Sequence, residues 1–205
     1  EDLCEAIVKL REKKPLIEQV TNYVTINDCA NVTLAIGASP VMGDGFEEVD
    51  QMTRISDALV LNYGIINGAS LKTMIKAGKT ANDHNIGIVL DPDGVGATQF
   101  RNEAIVDLLA EVQPTIIKGN ASEIMSLSGM DTKSKGVDSS ADSLEAIDAA
   151  LKVARDHRCV CAVTGRIDII TDGRYLVKIY NESDLLSYIT GTGCMITSLA
   201  ASFLG

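Results

Sequence analysis

Basic residues are scarce and scattered: 18 Lys and Arg stand against 28 Asp and Glu, a net charge of −10, and no stretch concentrates positive charge. That balance argues against nucleic-acid backbones and anionic membrane surfaces as partners. Any phosphate bound by this chain has to be held by local N–H groups and a metal, against a repulsive overall field. No apolar run approaches the ~18–20 residues of a membrane-spanning helix, and the opening Glu1-Asp2-Leu3-Cys4 lacks the basic, apolar character of a secretion leader. A cytoplasmic protein with no membrane partner is expected.

The cysteines lack both even number and paired C-x-x-C spacing. Cys4, Cys29, Cys159, Cys161 and Cys194 therefore suggest neither a disulfide framework nor a zinc site, and a reducing compartment fits them best. In Cys159-Val160-Cys161-Ala162-Val163 the two cysteines read as small buried hydrophobes on a strand. Only two histidines occur, His84 and His157, both at polar helix ends without a partner visible by spacing, and neither is assigned chemistry. Aromatic residues make up only 4%, while 46% of side chains are hydrophobic and 22% charged. This composition fits one α/β-type domain over residues 1–205 with ample material for a core.

Short runs rich in Val, Ile and Leu are what the chain has in place of long ones. Ala58-Leu59-Val60-Leu61, Gly87-Ile88-Val89-Leu90, Thr115-Ile116-Ile117 and Cys159-Val160-Cys161-Ala162-Val163 read as strands buried on both faces of a sheet. Helical candidates fall near residues 67–84, 101–111, 121–129 and 141–157, and the alternation implies a mainly parallel, doubly wound sheet. Residues 167–179 alternate around Asp172-Gly173, a hairpin signal that puts an antiparallel pair at the sheet edge. Residues 131–142, rich in Ser, Lys, Asp and Gly, read as an exposed loop.

Open α/β sheets bind ligands at the carboxyl ends of their strands, and here the residues following the strands are polar. They are Asn62, then Asp91-Pro92-Asp93-Gly94-Val95-Gly96-Ala97-Thr98, then Lys118-Gly119-Asn120-Ala121-Ser122-Glu123, then Thr164-Gly165. Near the end, Gly191-Thr192-Gly193-Cys194 reads as a glycine loop opening a helix, where converging N–H groups and the positive dipole end favour an anion and the thiolate of Cys194. Together these segments suit a magnesium-bound polyphosphate. Taken singly, each also has a structural reading: Asp91 as a turn cap, Glu123 as an ordinary first-turn acid, Lys118 as a surface charge, the glycine loop as a cap. Gly78-Lys79-Thr80 mimics the end of a P-loop, but Thr73 stands where its first glycine is required. Gly94-x-Gly96 and Gly191-x-Gly193 lack the third glycine of a dinucleotide fingerprint.

Read together, the segments resemble the hydroxyethylthiazole kinase family. The resemblance is carried by Pro15-Leu16-Ile17 with Thr21-Asn22-Tyr23-Val24, by Gly37-Ala38-Ser39-Pro40-Val41-Met42, by Asp91-Pro92 with Gly94-Val95-Gly96-Ala97-Thr98, by Lys118-Gly119-Asn120-Ala121-Ser122-Glu123-Ile124, by Thr164-Gly165 and by Gly191-Thr192-Gly193-Cys194. It implies a ribokinase-like three-layer αβα sandwich with a mainly parallel central sheet and an antiparallel edge hairpin. It further implies transfer of the ATP γ-phosphate to the primary hydroxyl of 4-methyl-5-(2-hydroxyethyl)thiazole in thiamine salvage. Carried over, Asn22, Met42 and Gly191 contact the thiazole, while Lys118, Asn120 and Thr164 contact ATP. Asp91 and Glu123 organise Mg2+, directly or through water. Thr192, Gly193 and Cys194 form the catalytic turn, with Cys194 beside the attacking hydroxyl. Family enzymes form homotrimers with the site between subunits, so Asn22 and Met42 are expected to serve a neighbour's site; Met42 also reads as core filling after a short strand.

The resemblance departs at four places. Glu18 stands where histidine is common, Asp93 where an apolar residue is expected and Lys118 where arginine is usual. Family members also continue beyond the position of Gly205 through further helices. Other readings stay open beside the leading one: a ribokinase-like kinase of another small alcohol or pyrimidine, and a non-catalytic ligand-binding or assembly subunit.

Overall fold

The computed structural model describes residues 2–130, 143–181 and 183–205. Eight strands form one sheet in the order β2-β1-β3-β4-β5-β6-β7-β8. They are β1 (Leu16–Val20), β2 (Ser39–Val41), β3 (Ala58–Asn62), β4 (Gly87–Asp91), β5 (Ile116–Asn120), β6 (Val160–Thr164), β7 (Asp168–Thr171) and β8 (Leu176–Ile179). The first six are parallel, whereas β7 and β8 are antiparallel to their neighbours. The doubly wound sheet and its antiparallel edge are thus as the sequence pattern indicated. The expected loop at residues 131–142 lies outside the described residues.

Helices cover both faces. On one, α4 (Gly68–Asp83), α5 (Gln99–Glu111), α6 (Ala121–Leu127) and α7 (Ile147–His157) bury the main cluster, in which Leu59, Leu61, Ile88, Leu90, Ile117 and Cys161 meet Met74, Leu108, Ile124 and Val153. On the other, α8 (Thr192–Leu204) packs against β1, β3 and β4, flanked by α2 (Ile26–Ile36), which also meets β2, and by α1 (Leu3–Lys13), with Ile17, Val60, Val89 and Ala201 inside. The short α3 (Val49–Arg54) sits between β2 and β3 and leans on α4. All five residues of β3 are buried, which explains why β3 and its neighbours read as uninterrupted apolar runs rather than alternating ones.

The end of the P-loop mimic belongs to the helix packing. Gly78 lies inside α4, where an added Cβ would meet Val112 at 2.5 Å. His84 caps α4 and His157 ends α7, so both occupy the polar helix ends expected of them. Cys159 and Cys161 are buried, and burial pushes their thiols up to about 11 and about 12, which fits inert core residues.

Candidate active site

Strand polarity delivers the polar residues to one rim. Asn62, Asp91, Asn120 and Thr164 are the last residues of β3, β4, β5 and β6, and the ladders align Asn62 with Asp91 and Asn120 with Thr164. Beneath this rim a cleft of about 380 Å³ is lined by Asp91, Lys118, Asn120, Glu123 and Thr164 from the sheet side. Asn22 and Thr25 line it from the β1–α2 connection, and Gly191, Gly193 and Cys194 from the start of α8. Nine of the eleven site residues expected from sequence therefore share one cavity. The two outside it are Thr192, first residue of α8, and Met42, which follows β2 half-buried and joins neither this cleft nor the core clusters.

Lys118 is no surface charge. It is 4% exposed, and its Nζ donates to Asp91 Oδ2 at 2.9 Å and to the Gly193 carbonyl at 3.1 Å. Burial opposes its charge, but Asp91's charge and hydrogen bond, with Glu123 and Cys194 behind them, outweigh that and raise the ammonium above its ordinary range. Asp91 is no turn cap either: its Oδ2 also accepts from Thr197 Oγ1 at 2.7 Å and from Asn62 Nδ2 at 3.3 Å. Glu123 is a first-turn acid with a further task. Within the capping box of α6 it accepts from Asn120 N at 2.8 Å through Oε2, and from Gly94 N at 3.1 Å through Oε1. It therefore ties the β4 loop to α6. Burial pushes its carboxyl up, with both N–H donors pulling the other way.

The glycine turn at residues 191–194 differs from the expected loop in its boundary. Helix α8 begins at Thr192, so Gly193 and Cys194 lie in its first turn, where N–H groups have no intrahelical acceptor. Gly191 caps it at φ 77, and an added Cβ there would stand 2.1 Å from Thr25 Cγ2. Only glycine meets both demands. Cys194 is buried, with Asn22 Nδ2 donating toward its Sγ at 3.5 Å. The same amide donates to Asn62 Oδ1 at 2.9 Å, and Asn22 Oδ1 accepts from Val24 N and Thr25 N. One asparagine thus fixes the thiol, the β3 end and the α2 entry.

Sequence reading missed Thr25, Thr197 and Arg101. Arg101 of α5 donates to the carbonyls of Tyr63 at 3.1 Å, Asp93 at 2.8 Å and Gly64 at 2.8 Å, clamping the loops after β3 and β4 together. The available signal for Thr197 was its place one turn after Gly193 on the same side of α8. Asp93 also lines the cleft, its carboxyl pushed up by burial and then by Asp91.

A rim of strand ends, a buried lysine–aspartate pair and an open helix N-terminus beside a small cleft is an arrangement for phosphoryl transfer to a small molecule. The hydroxyethylthiazole kinase family profile matches residues 7–205. This chain belongs to the hydroxyethylthiazole kinase family. A hydroxyethylthiazole kinase from Clostridium beijerinckii is 47% identical over 202 residues, spanning 96% of this chain and 73% of that protein. The solved structure of a hydroxyethylthiazole kinase from Pyrococcus horikoshii OT3 superposes with a TM-score of 0.88 at 38% identity, over 98% of this chain and 75% of that one. A ribokinase-like superfamily protein from Enterococcus faecalis shares the fold alone, with a TM-score of 0.63 at 10% identity over 92% of this chain and 70% of its own. The chain thus spans about three quarters of the length of its hydroxyethylthiazole kinase relatives.

Proposed function

We propose that this chain transfers the γ-phosphate of ATP to the primary hydroxyl of 4-methyl-5-(2-hydroxyethyl)thiazole, as a kinase of thiamine salvage. The observation that carries the reading is the convergence of Cys194, Lys118 and the first turn of α8 on one cleft. Its ~380 Å³ suits a small heterocycle. Asn22 and Gly191 hold the thiazole end. Lys118, Asn120 and Thr164 face ATP. The free N–H groups of Thr192, Gly193 and Cys194 stabilise charge on the transferred phosphoryl, and Cys194 positions or deprotonates the attacking hydroxyl.

Magnesium fits this donor set in one manner. Glu123 already accepts two N–H groups and Asp91 Oδ2 three donors, and no group of three or more His, Cys, Asp or Glu arranged to hold a metal occurs among the described residues. Asp91 and Glu123 would hold the ion partly through water, with substrate phosphates completing its shell, which is how Mg2+ is commonly bound. Bound so, it supplies neutralisation of polyphosphate charge in a chain of net charge −10.

A homotrimer belongs to the same reading. Tyr23, Val24, Phe46 and Ile65 are large, exposed and close to the cleft, and Met42 lies outside it in its own chain, which fits service to a neighbouring copy. A cytoplasmic location is supported by five unpaired cysteines; no helix among the described residues is long and apolar enough to cross a membrane. The test is kcat/KM with Mg-ATP across a panel of alcohols that includes hydroxyethylthiazole, a hydroxymethylpyrimidine and pyridoxal. The thiazole is expected to lead by at least about tenfold; a better pyrimidine or pyridoxal substrate overturns the assignment.

A further inference from the structure

Glu18 lies outside the phosphotransfer cleft, in the middle of β1, and is 0% exposed. It is registered with Val41 of β2 on one side and Leu59 of β3 on the other. Its Oε1 has no hydrogen-bond partner, a condition shared by no other buried side-chain oxygen or nitrogen among the described residues. Facing that oxygen are Gly43 and Met52: a Cβ added to Gly43 would stand 3.3 Å from Oε1 and 3.0 Å from Met52 Cγ. The carboxyl group therefore packs directly beneath the chain one residue beyond Met42.

The hydrogen bonding around Glu18 is incomplete for a charged carboxylate. Thr53 Oγ1 lies 2.5 Å from Glu18 Oε2 and 2.7 Å from the Val49 carbonyl. Thr53 Oγ1 donates to Oε2, which leaves Oε1 without any donor, and a buried carboxylate oxygen with neither donor nor cation favours the neutral form. Charged groups on the surrounding elements are turned elsewhere. Asp50 of α3 pairs with Lys76 of α4 and with Arg54, Asp57 before β3 pairs with Lys13 and accepts from Leu16 N, and Asp44 of the β2–α3 connection is exposed. No basic side chain among the described residues is within ion-pair reach of Glu18.

We propose that Glu18 is a positioning residue for the thiazole end of the site, acting through Met42–Gly43. As a neutral carboxyl group it lets that segment lie against β1, and on ionisation it drives the segment off to admit water. The inference rests on the assignment of Met42 to a thiazole pocket. Burial pushes the Glu18 carboxyl up to about 7, with the Thr53 contact opposing, so the change falls within the working range of pH. Below that point the segment is seated. Above it, the seated fraction falls roughly tenfold per pH unit, and the apparent KM for the thiazole alcohol rises accordingly.

The test is KM for hydroxyethylthiazole and for ATP from about pH 6 to about pH 8.5, in the wild-type chain, Glu18→Gln, Glu18→Met and Met42→Ala. Thermal melts of each establish that it folds, and the two Glu18 variants guard against failure of either. The wild type is expected to lose thiazole affinity with rising pH while KM for ATP stays level, both Glu18 variants to give a flat thiazole profile, and Met42→Ala to raise thiazole KM at every pH. A slope that survives in a folded Glu18 variant overturns the role of Glu18. A flat Glu18 profile with an unchanged Met42→Ala overturns the route through Met42 and, separately, the pocket assignment.

Discussion

In the proposed reaction, Cys194 and Lys118 divide the chemistry between a group set beside the hydroxyl and a group that holds charge. Lys118 is spoken for by Asp91 and by the Gly193 carbonyl in the first turn of α8, so it fixes that turn whatever part it takes in the proposed phosphate contact. Its replacement of the family's usual arginine keeps the charge but gives up a planar fork. Cys194 has one side-chain donor, Asn22, which orients the sulfur without consuming it. Phosphoryl transfer depends mainly on alignment and on stabilising charge, so the weight carried by Cys194 is measurable. Cys194→Ala is expected to lower kcat by ~10²–10⁴ with KM for ATP little changed, the loss of a working general base. Steady-state kinetics on the purified variant decide it: an unchanged kcat assigns catalysis to the N–H groups of the first turn of α8.

At the level of elements, α8 and β1 make opposite cases. Helix α8 was legible because glycine followed by an apolar stretch marks a helix start, and only its first residue was misplaced: the turn closes at Thr192, with Met195 N donating back to the Gly191 carbonyl at 2.9 Å. Strands β3 to β6 were legible as unbroken Val, Ile and Leu runs. Strand β1 was not, because the polar pair Glu18 and Gln19 breaks the apolar run Leu16-Ile17-Glu18-Gln19-Val20, although both are buried. Gln19 is accounted for by Thr33 of α2 and Ser198 of α8. Such cross-chain pairing leaves no trace in local spacing, and the same blindness hid Thr25, Thr197 and Arg101. Gly191→Ala tests the α8 junction, since alanine would have to adopt φ near 77 and displace Thr25. A stability loss of more than about 2 kcal/mol in denaturant unfolding is expected, together with loss of turnover. A variant with wild-type stability would show that the cap tolerates a side chain.

For the whole molecule, a strongly acidic chain would hold the proposed polyphosphate by local means. Charge −10 overall leaves the cleft with one buried lysine and an open helix end, to which the proposed reading adds a divalent cation, and Asp93 adds a further carboxylate beside them. The sequence disclosed the rim almost completely, because parallel strands end on one side and the ends of β3 to β6 are all polar. Local spacing did not separate Asn22, which lines its own chain's cleft, from Met42, which does not, since the sheet order putting β2 outside β1 is a property of the assembled fold. The central claim is that the cleft under the strand ends passes phosphate to a thiazole alcohol. It is tested most directly by mixing this chain with Mg-ATP and hydroxyethylthiazole and following ADP and thiazole phosphate together. One ADP per thiazole phosphate, with no ADP when magnesium is chelated, is the predicted result; thiazole binding without ADP formation would contradict it.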